Sequence, residues 1–191
     1  MRKSERNSVC PVERAGLIDN PFRKLLHNPR KILKPYINNT MTVLEVGCGS
    51  GFFTIEIAKL LTQGRVIAVD LQQGMLDKLQ QKIRDTELKQ KILLHKCDQD
   101  KIGLDIKVDL VLAFFMVHEV PDPKSFFVEL KSILNSNGKV FVIEPISHVS
   151  KKIFSEMIHM AKTLGFEVVS KPKVFLGRAV LLKIKEKNSH E

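Results

Sequence analysis

Three glycines spaced by two residues restrict more than any other feature how this chain can fold. They lie in the segment VLEVGCGSGFFT, which spans residues 43–54. An apolar run precedes the glycines and an amphipathic run follows them, which predicts a buried strand, a tight turn and a helix. Glycine lets the backbone turn sharply and approach a ligand at the carboxyl edge of a sheet, where open α/β sheets bind cofactors. We therefore expect this loop to hold a cofactor that contains a nucleoside.

The pattern of a buried strand followed by an amphipathic helix recurs along the chain. Short runs rich in Val, Ile and Leu are typical of strands buried on both faces of a parallel sheet. Five such runs are Thr42–Val46, Arg65–Val69, Ile92–His95, Val108–Ala113 and Lys139–Ile143. Three crossover helices are predicted, over Phe53–Leu61, Met75–Thr86 and Ser125–Leu134. This succession predicts an α/β protein with a doubly wound sheet.

The C-terminal part predicts a different kind of connection. Ser150–Leu164 has helical spacing, and Gly165 is placed to end that helix. The runs Phe166–Ser170 and Val180–Lys185 are separated by only nine residues. Because this is too short for a helical crossover, we expect the two runs to form an antiparallel hairpin.

The size and composition of the chain fit one domain preceded by a short segment. Of its 191 residues 43% are apolar, and no apolar run approaches the roughly 20 residues of a membrane span. The N-terminus lacks the apolar stretch of a signal peptide, so we expect a cytoplasmic protein without a transmembrane segment. We predict that residues 1–40 form a helical lid over a domain of residues 41–187. Asn20-Pro21 and Asn28-Pro29 can each begin a short helix in that lid.

The net charge of +10 is concentrated at the two ends of the chain. Residues 1–42 hold nine Lys and Arg against three acids, and residues 150–191 hold nine against four. A solvated basic surface accounts for this, as does attraction to an anionic substrate, RNA or a membrane surface. Arg30 is a candidate to meet an anionic substrate group, and weak association with a membrane surface stays open. Nucleic acid is disfavoured because no aromatic residues accompany the basic ones.

The three cysteines indicate reduced thiols. Cys10, Cys48 and Cys97 are odd in number and show no CxxC spacing, which argues against disulfides and a zinc site. A soft-ligand trio for a metalloid is the alternative to ordinary buried thiols. We expect no metal.

Acidic residues follow three of the predicted strands. Glu45, Asp70 and Asp98 lie at or just after the carboxyl ends of the first, second and third strands. A carboxylate at the second strand can accept both ribose hydroxyls, and an acid beside the loop suits the ammonium and sulfonium of S-adenosylmethionine better than a diphosphate. Phe52 stands where the dinucleotide fingerprint requires Gly or Ala, which disfavours the alternative of an NAD(P)-dependent oxidoreductase.

These segments together resemble the class I S-adenosylmethionine-dependent methyltransferases. The likeness covers residues 40–185 and is nearest to the group that contains the ubiquinone and menaquinone biosynthesis methyltransferases. It implies a Rossmann-like sheet of seven strands, mostly parallel with an antiparallel C-terminal hairpin. It also implies in-line methyl transfer that leaves S-adenosylhomocysteine. The cofactor residues it implies are Glu45, Gly47, Cys48, Gly49 and Gly51 around the methionine part, Asp70 on the ribose, Leu71 and Met75 against adenine, Asp98 and Gln99 at the adenine amino group, and Ala113 and Phe114 at the methyl end.

The segment AFFMVHEV, residues 113–120, is predicted to face the methyl acceptor. It lacks the Asn/Asp-Pro-Pro-aromatic pattern typical of methyltransferases that act on nitrogens of nucleic acid or protein, so we expect a small-molecule acceptor. Phe115 and its neighbours form either an apolar pocket or part of the core. His118 can act as a general base or cap the following helix. A non-enzymatic RNA-binding module is the alternative from another class.

Overall fold

An eight-stranded sheet runs through the protein, whose structure, a computed structural model, describes residues 27–186. Its strands are β1 (Thr42–Val46), β2 (Arg65–Asp70), β3 (Ile92–Lys96), β4 (Val108–Phe114), β5 (Leu134–Pro145), β6 (Phe166–Ser170), β7 (Lys173–Val174) and β8 (Gly177–Ile184). The helices are α1 (Pro29–Leu33), α2 (Thr54–Leu60), α3 (Gln73–Ile83), α4 (Pro123–Ile133) and α5 (Lys151–Thr163). Short 3₁₀ turns occupy Glu87–Gln90 and Val117–Glu119.

The strand order confirms the predicted doubly wound, Rossmann-like α/β topology. The strands lie in the order β3-β2-β1-β4-β5-β8-β6, and β7 pairs with β8. The pairs among β1 to β5 are parallel, whereas β8 is antiparallel to both β5 and β6. The order reverses between β1 and β4, and such a switch point opens a crevice at the carboxyl ends of the strands.

Alternate residues of β1 show how the sheet is buried on both faces. Leu44 and Val46 pack in one cluster with residues of α4 and α5, whereas Val43 packs in a second cluster with residues of α1, α2 and α3. Val43 and Leu44 are both fully buried. A strand covered on both faces has no polar side, which explains the nearly unbroken apolar runs in the sequence.

Most boundaries differ from those predicted by one to three residues, and two of the differences, at the starts of α4 and β5, have a clear physical cause. The helix α4 begins at Pro123 rather than Ser125, because the Asp122 side chain caps it by accepting the backbone N–H groups of Lys124 and Ser125. The strand β5 begins at Leu134, well before the predicted start. Leu134 pairs with Val108 of β4, so a pairing partner that is distant in sequence extends the strand.

The C-terminal hairpin is confirmed, with one addition. β6 and β8 are antiparallel as predicted, and Gly165, with φ +91°, follows the end of α5. The segment between them contains the two-residue strand β7, which pairs with the start of β8. The sheet therefore has this short eighth strand beside the seven predicted.

Only the last part of the predicted lid lies among the described residues. Residues 1–26 are outside them, including the predicted helix start at Asn20-Pro21. The second predicted start is confirmed, since the Asn28 side chain accepts the N–H of Lys31 at the beginning of α1. Leu33 of α1 is fully buried and belongs to the core cluster. This part of the segment therefore packs on the domain.

Candidate active site

A cavity of about 570 Å³ opens at the carboxyl edge of the sheet. Its volume is typical of small-molecule sites. The predicted site residues that line it are Glu45, Gly47, Cys48, Gly49, Asp70, Leu71, Met75, Asp98, Gln99, Phe114, Phe115 and His118. Gly51, Ala113 and Arg30 are not among the lining residues. Ala113 is fully buried in the core and Arg30 is exposed on α1, so their predicted contacts find no support in this placement.

The glycine loop is held against the end of β2. The N–H groups of Gly47 and Cys48 donate to the carbonyl of Val69 over 2.8 and 2.9 Å. Gly49 has φ +54°, and a Cβ placed there would meet nothing within 4 Å, so the backbone is open to a ligand at this point.

Gly51 has a packing role rather than a place in the cavity wall. It has φ +91°, and a Cβ there would lie 2.3 Å from Cδ1 of Leu79 on α3. The third glycine therefore lets the loop approach the helix closely.

Asp70 connects the loop to the second strand. One carboxylate oxygen accepts the N–H of Gly49 over 2.8 Å, and the other accepts the N–H of Gln72 over 2.9 Å. Burial raises the pKa of Asp70, although these backbone hydrogen bonds act in the opposite direction. Each carboxylate oxygen can accept a second hydrogen bond, so Asp70 can hold the loop and a ligand hydroxyl together.

Glu45 places a second buried carboxylate at the cavity. It is 3% exposed, and Thr54 Oγ1 donates to its Oε2 over 2.5 Å. Thr54 is fully buried at the first position of α2, so the helix fixes the direction of the carboxylate. Carboxylates at the ends of adjacent strands suit a positively charged ligand and repel a diphosphate.

Aromatic rings form another part of the cavity wall. Phe114 and Phe115 are stacked with ring centroids 4.1 Å apart, and Phe53 lies 4.3 Å from Phe114. Phe115 has φ +58°, a conformation that bulky residues rarely adopt and that occurs often at functional sites. The ring of His27 contacts Phe114 and Phe115 edge-on, with centroids 5.5 and 5.4 Å away. The sequence left open whether these residues form an apolar pocket or part of the core, and both hold here. Phe114 is 7% exposed and packs in the core, and it also lines the cavity.

His118 makes a short hydrogen bond to a carboxylate that the sequence analysis did not identify. Its Nδ1 lies 2.5 Å from Oε2 of Glu144, which is 1% exposed at the end of β5. The other oxygen of Glu144 accepts the backbone N–H of Val117 over 2.9 Å. The hydrogen bond to Glu144 raises the pKa of His118 above its usual value.

Glu144 could have been found from the pattern that identified the other acids. It stands at the carboxyl end of the fifth parallel strand, as Glu45 and Asp70 do on the first and second. Pro145 and His148, which follow it, also line the cavity. The end of β5 is therefore part of the site.

Burial disfavours the thiolate form of the two cysteines at the cavity. Burial raises the pKa of Cys97 to about 11 and that of Cys48 well above its usual value. Cys10 lies outside the described residues, which leaves the metalloid trio a hypothesis. Within residues 27–186, no group of three or more His, Cys, Asp or Glu side chains is placed to hold a metal ion.

Among the helices of the same residues, none combines the length and apolar composition needed to cross a bilayer.

The family of methyltransferase domains matches residues 37–186. A demethylmenaquinone methyltransferase from Lactobacillus johnsonii is 33% identical over 134 residues, which make up 65% of this chain and 55% of that protein. An uncharacterized methyltransferase from Schizosaccharomyces pombe is 30% identical over 112 residues, or 55% of this chain and 40% of that protein. The chain thus spans about half the length of these curated relatives.

The fold is shared with solved structures over most of the chain. A SAM-dependent methyltransferase from Aquifex aeolicus has a TM-score of 0.80 and 26% identity, over 91% of this chain and 99% of that one. A structure from Methanococcus maripaludis has a TM-score of 0.76 over 99% of this chain and all of the other, at 17% identity, which shows a likeness of fold alone. The glycine loop of this chain lies at the switch point of that shared fold.

Proposed function

Since the chain belongs to the methyltransferase domain family, within the class I S-adenosylmethionine-dependent methyltransferases, we propose that it transfers the methyl group of S-adenosylmethionine to a small apolar acceptor. The observation that carries this proposal is the lining of the cavity, which combines a glycine loop and buried acids with stacked aromatic rings. The family predicted from the sequence is confirmed. This family assignment replaces the two alternatives from the sequence, an NAD(P)-dependent oxidoreductase and a non-enzymatic RNA-binding module.

The acid side of the cavity suits the cofactor. S-adenosylmethionine carries an ammonium group and a sulfonium that makes its methyl group electrophilic. Glu45 and the open backbone at Gly49 would hold the methionine part, and Asp70 would accept the ribose hydroxyls. Leu71 and Met75 offer apolar surface for adenine, with Asp98 and Gln99 beside them for its amino group. These contacts are supported by the place of each residue in the cavity lining.

The aromatic side suits an apolar acceptor. Phe114 and Phe115 offer stacked ring faces at the end of β4, where the family resemblance places the methyl end of the cofactor. Several curated relatives are demethylmenaquinone methyltransferases, which supports an acceptor with a quinone-like ring. In-line displacement needs chiefly correct positioning, which can lower a barrier by roughly 7 to 11 kcal/mol. The packed aromatic rings would position the acceptor for this displacement.

A transfer screen tests the proposal. The full chain is incubated with methyl-labelled S-adenosylmethionine and a library that spans hydroxylated aromatic compounds, quinols, amines, a bulk tRNA and a basic protein. We expect label in an apolar small molecule, identified by mass spectrometry as a product heavier by one methylene. Label in the tRNA or protein only would contradict the small-molecule acceptor. The cytoplasmic location, the weak membrane-surface association and the absence of a required metal stay predictions.

A further inference from the structure

The His118–Glu144 pair, with His118 on the 3₁₀ turn after β4 and Glu144 at the end of β5, is more than a cap for the neighbouring helix. A cap would use the ring to satisfy backbone groups, whereas Nδ1 of His118 is hydrogen bonded to the buried Glu144 side chain. Glu144 is itself fixed, since its second oxygen accepts the N–H of Val117. Both oxygens of the Glu144 carboxylate are therefore hydrogen bonded, and the carboxylate fixes the orientation of the His118 ring.

The pair determines which ring nitrogen is left to accept a proton. A carboxylate at Nδ1 favours the tautomer with a proton on Nδ1, which leaves the lone pair on Nε2. Among residues 27–186, no hydrogen bond is made to Nε2, and the Glu119 carboxylate lies 3.9 Å away, beyond hydrogen-bond distance. His118 lines the cavity and its side chain is 21% exposed. A ring that lines the cavity therefore has its acceptor nitrogen, Nε2, available.

The charges around His118 restrict what the acceptor can be. Glu144 and Glu119 both act on the His118 charge, and the ring of His148 lies 5.6 Å from the ring of His118. These carboxylates would repel an acceptor that arrives already ionised. A cationic acceptor would be repelled by the sulfonium that it must approach. A neutral hydroxyl that loses its proton inside the cavity avoids repulsion by the carboxylates and repulsion by the sulfonium.

Resting on the proposed function, we infer that His118 is the general base for an acceptor hydroxyl on an apolar ring and that Glu144 is the positioning residue that orients it. The acceptor hydroxyl gives its proton to Nε2 while its oxygen forms a bond to the methyl carbon. The carbon–sulfur bond breaks with its electron pair going to sulfur. S-adenosylhomocysteine leaves as a neutral thioether, and the proton passes from His118 to solvent.

An NMR titration of the histidine rings tests the pair without any acceptor. In the full chain, we expect His118 to titrate above the ordinary histidine pKa of about 6.5. His159, which is exposed on α5 and lies outside the cavity lining, serves as the reference ring for the effect of a substitution. Glu144→Gln keeps an oxygen for the N–H of Val117 but removes the charge, so the His118 midpoint should move to lower pH while His159 stays unchanged. An unmoved His118 midpoint would overturn the pair. Should Glu144→Gln fail to fold, the wild-type His118 midpoint decides, and a midpoint at or below about 6.5 would overturn the pair.

Transfer kinetics test the role of the base. With the acceptor found in the screen, the wild-type rate should rise with pH through the His118 midpoint and then level off. His118→Gln should lower kcat by roughly 10² to 10⁴-fold with little change in KM. Glu144→Gln should lower kcat less and move the rising limb to lower pH, and the matched control His159→Gln should match the wild type. A His118→Gln rate within twofold of the wild type, a rate that falls with rising pH, or an amine as the methylated group would overturn the inference.

Cofactor binding and transfer rates together distinguish a failure of the role of His118 from a failure of the proposed function. Calorimetry with S-adenosylmethionine on the wild type and on His118→Gln comes first. Absence of binding to the wild type contradicts the proposed function itself. Equal binding to both chains, together with equal transfer rates, contradicts only the role of His118.

Discussion

Asp70 has a structural role that the sequence did not predict. Its place at the end of β2 predicts a partner for the ribose, and the structure adds its hydrogen bonds to Gly49 and Gln72. Those bonds join residues that are 21 and two positions apart. The strand-end position can be predicted from the sequence, whereas the bond to the loop depends on the path of the turn.

Removing the Asp70 side chain should weaken cofactor binding. Asp70→Ala loses a charge-assisted acceptor for the ribose, at about 1.5 to 3 kcal/mol per hydrogen bond, and frees the loop N–H of Gly49. We expect calorimetry with S-adenosylhomocysteine to show an affinity at least tenfold lower. The control is Asp77→Ala on the exposed side of α3, which should bind as the wild type does. Unchanged affinity in a folded Asp70→Ala chain would show that the carboxylate does not hold the ligand.

The His118–Glu144 pair should also make stability depend on pH. A histidine whose pKa is raised on folding stabilises the folded state below its unfolded pKa of about 6.5, and this contribution is lost as the pH rises through the folded pKa. The difference in unfolding free energy between the wild type and Glu144→Gln should therefore be larger near pH 6 than near pH 9. Urea unfolding at the two pH values measures it. In a His118→Gln background the same substitution should give a difference that does not change with pH, and a pH-dependent difference there would assign the effect to another group.

Among the elements, the glycine loop and α3 depend on each other. Gly51→Ala would place a methyl group 2.3 Å from Cδ1 of the buried Leu79, at a backbone φ of +91°. We expect a loss of stability of about 1 to 3 kcal/mol, measured by chemical denaturation, because the loop and the helix must separate. The double variant Gly51→Ala/Leu79→Ala should lose less than the sum of the two single changes. Strict additivity would show that the loop does not pack on this helix.

The neighbouring glycine serves as the matched comparison. Gly49→Ala meets open space, so it should cost only the backbone strain of about 1 kcal/mol. Its methyl group would project where we place the cofactor, and affinity for S-adenosylhomocysteine should fall more than stability does. A Gly49→Ala chain that binds as tightly as the wild type would move the cofactor away from this part of the loop.

Strands and helices with local signals could be predicted, and those that depend on distant pairing could not. The apolar runs of β1 to β4 reflect burial on both faces, which is visible in the sequence itself. The early start of β5 at Leu134 depends on its partner Val108 in another strand. The link between His118 and Glu144 spans 26 residues and two elements, so the sequence analysis indicated His118 but neither Glu144 nor their contact.

At the scale of the whole molecule, the described part of the N-terminal segment reaches the site through His27. His27, where the described residues begin, contacts the aromatic wall and has Nε2 2.7 Å from the carbonyl of Phe175. A truncation of residues 1–28 would remove this contact together with the cap of α1 at Asn28. Removing residues 1–26 instead tests the predicted lid and keeps both.

We expect the chain without residues 1–26 to fold and to bind S-adenosylmethionine, but to lose methyl transfer, because a lid excludes water and completes the acceptor pocket. Thermal unfolding and calorimetry check the first two properties, and the transfer assay checks the third. A truncated chain that transfers methyl at the full rate would contradict the lid. Failure to fold would instead assign the segment to the core.

The central claim is that the cavity at the carboxyl edge of the sheet binds S-adenosylmethionine, and calorimetric titration of the full chain measures this most directly. We predict one binding site for S-adenosylmethionine and for S-adenosylhomocysteine, with both affinities at least tenfold lower in Asp70→Ala, and no heat on titration with NADH. Absence of heat with both S-adenosylmethionine and S-adenosylhomocysteine at millimolar concentration, or tight binding of NADH in their place, would contradict the account.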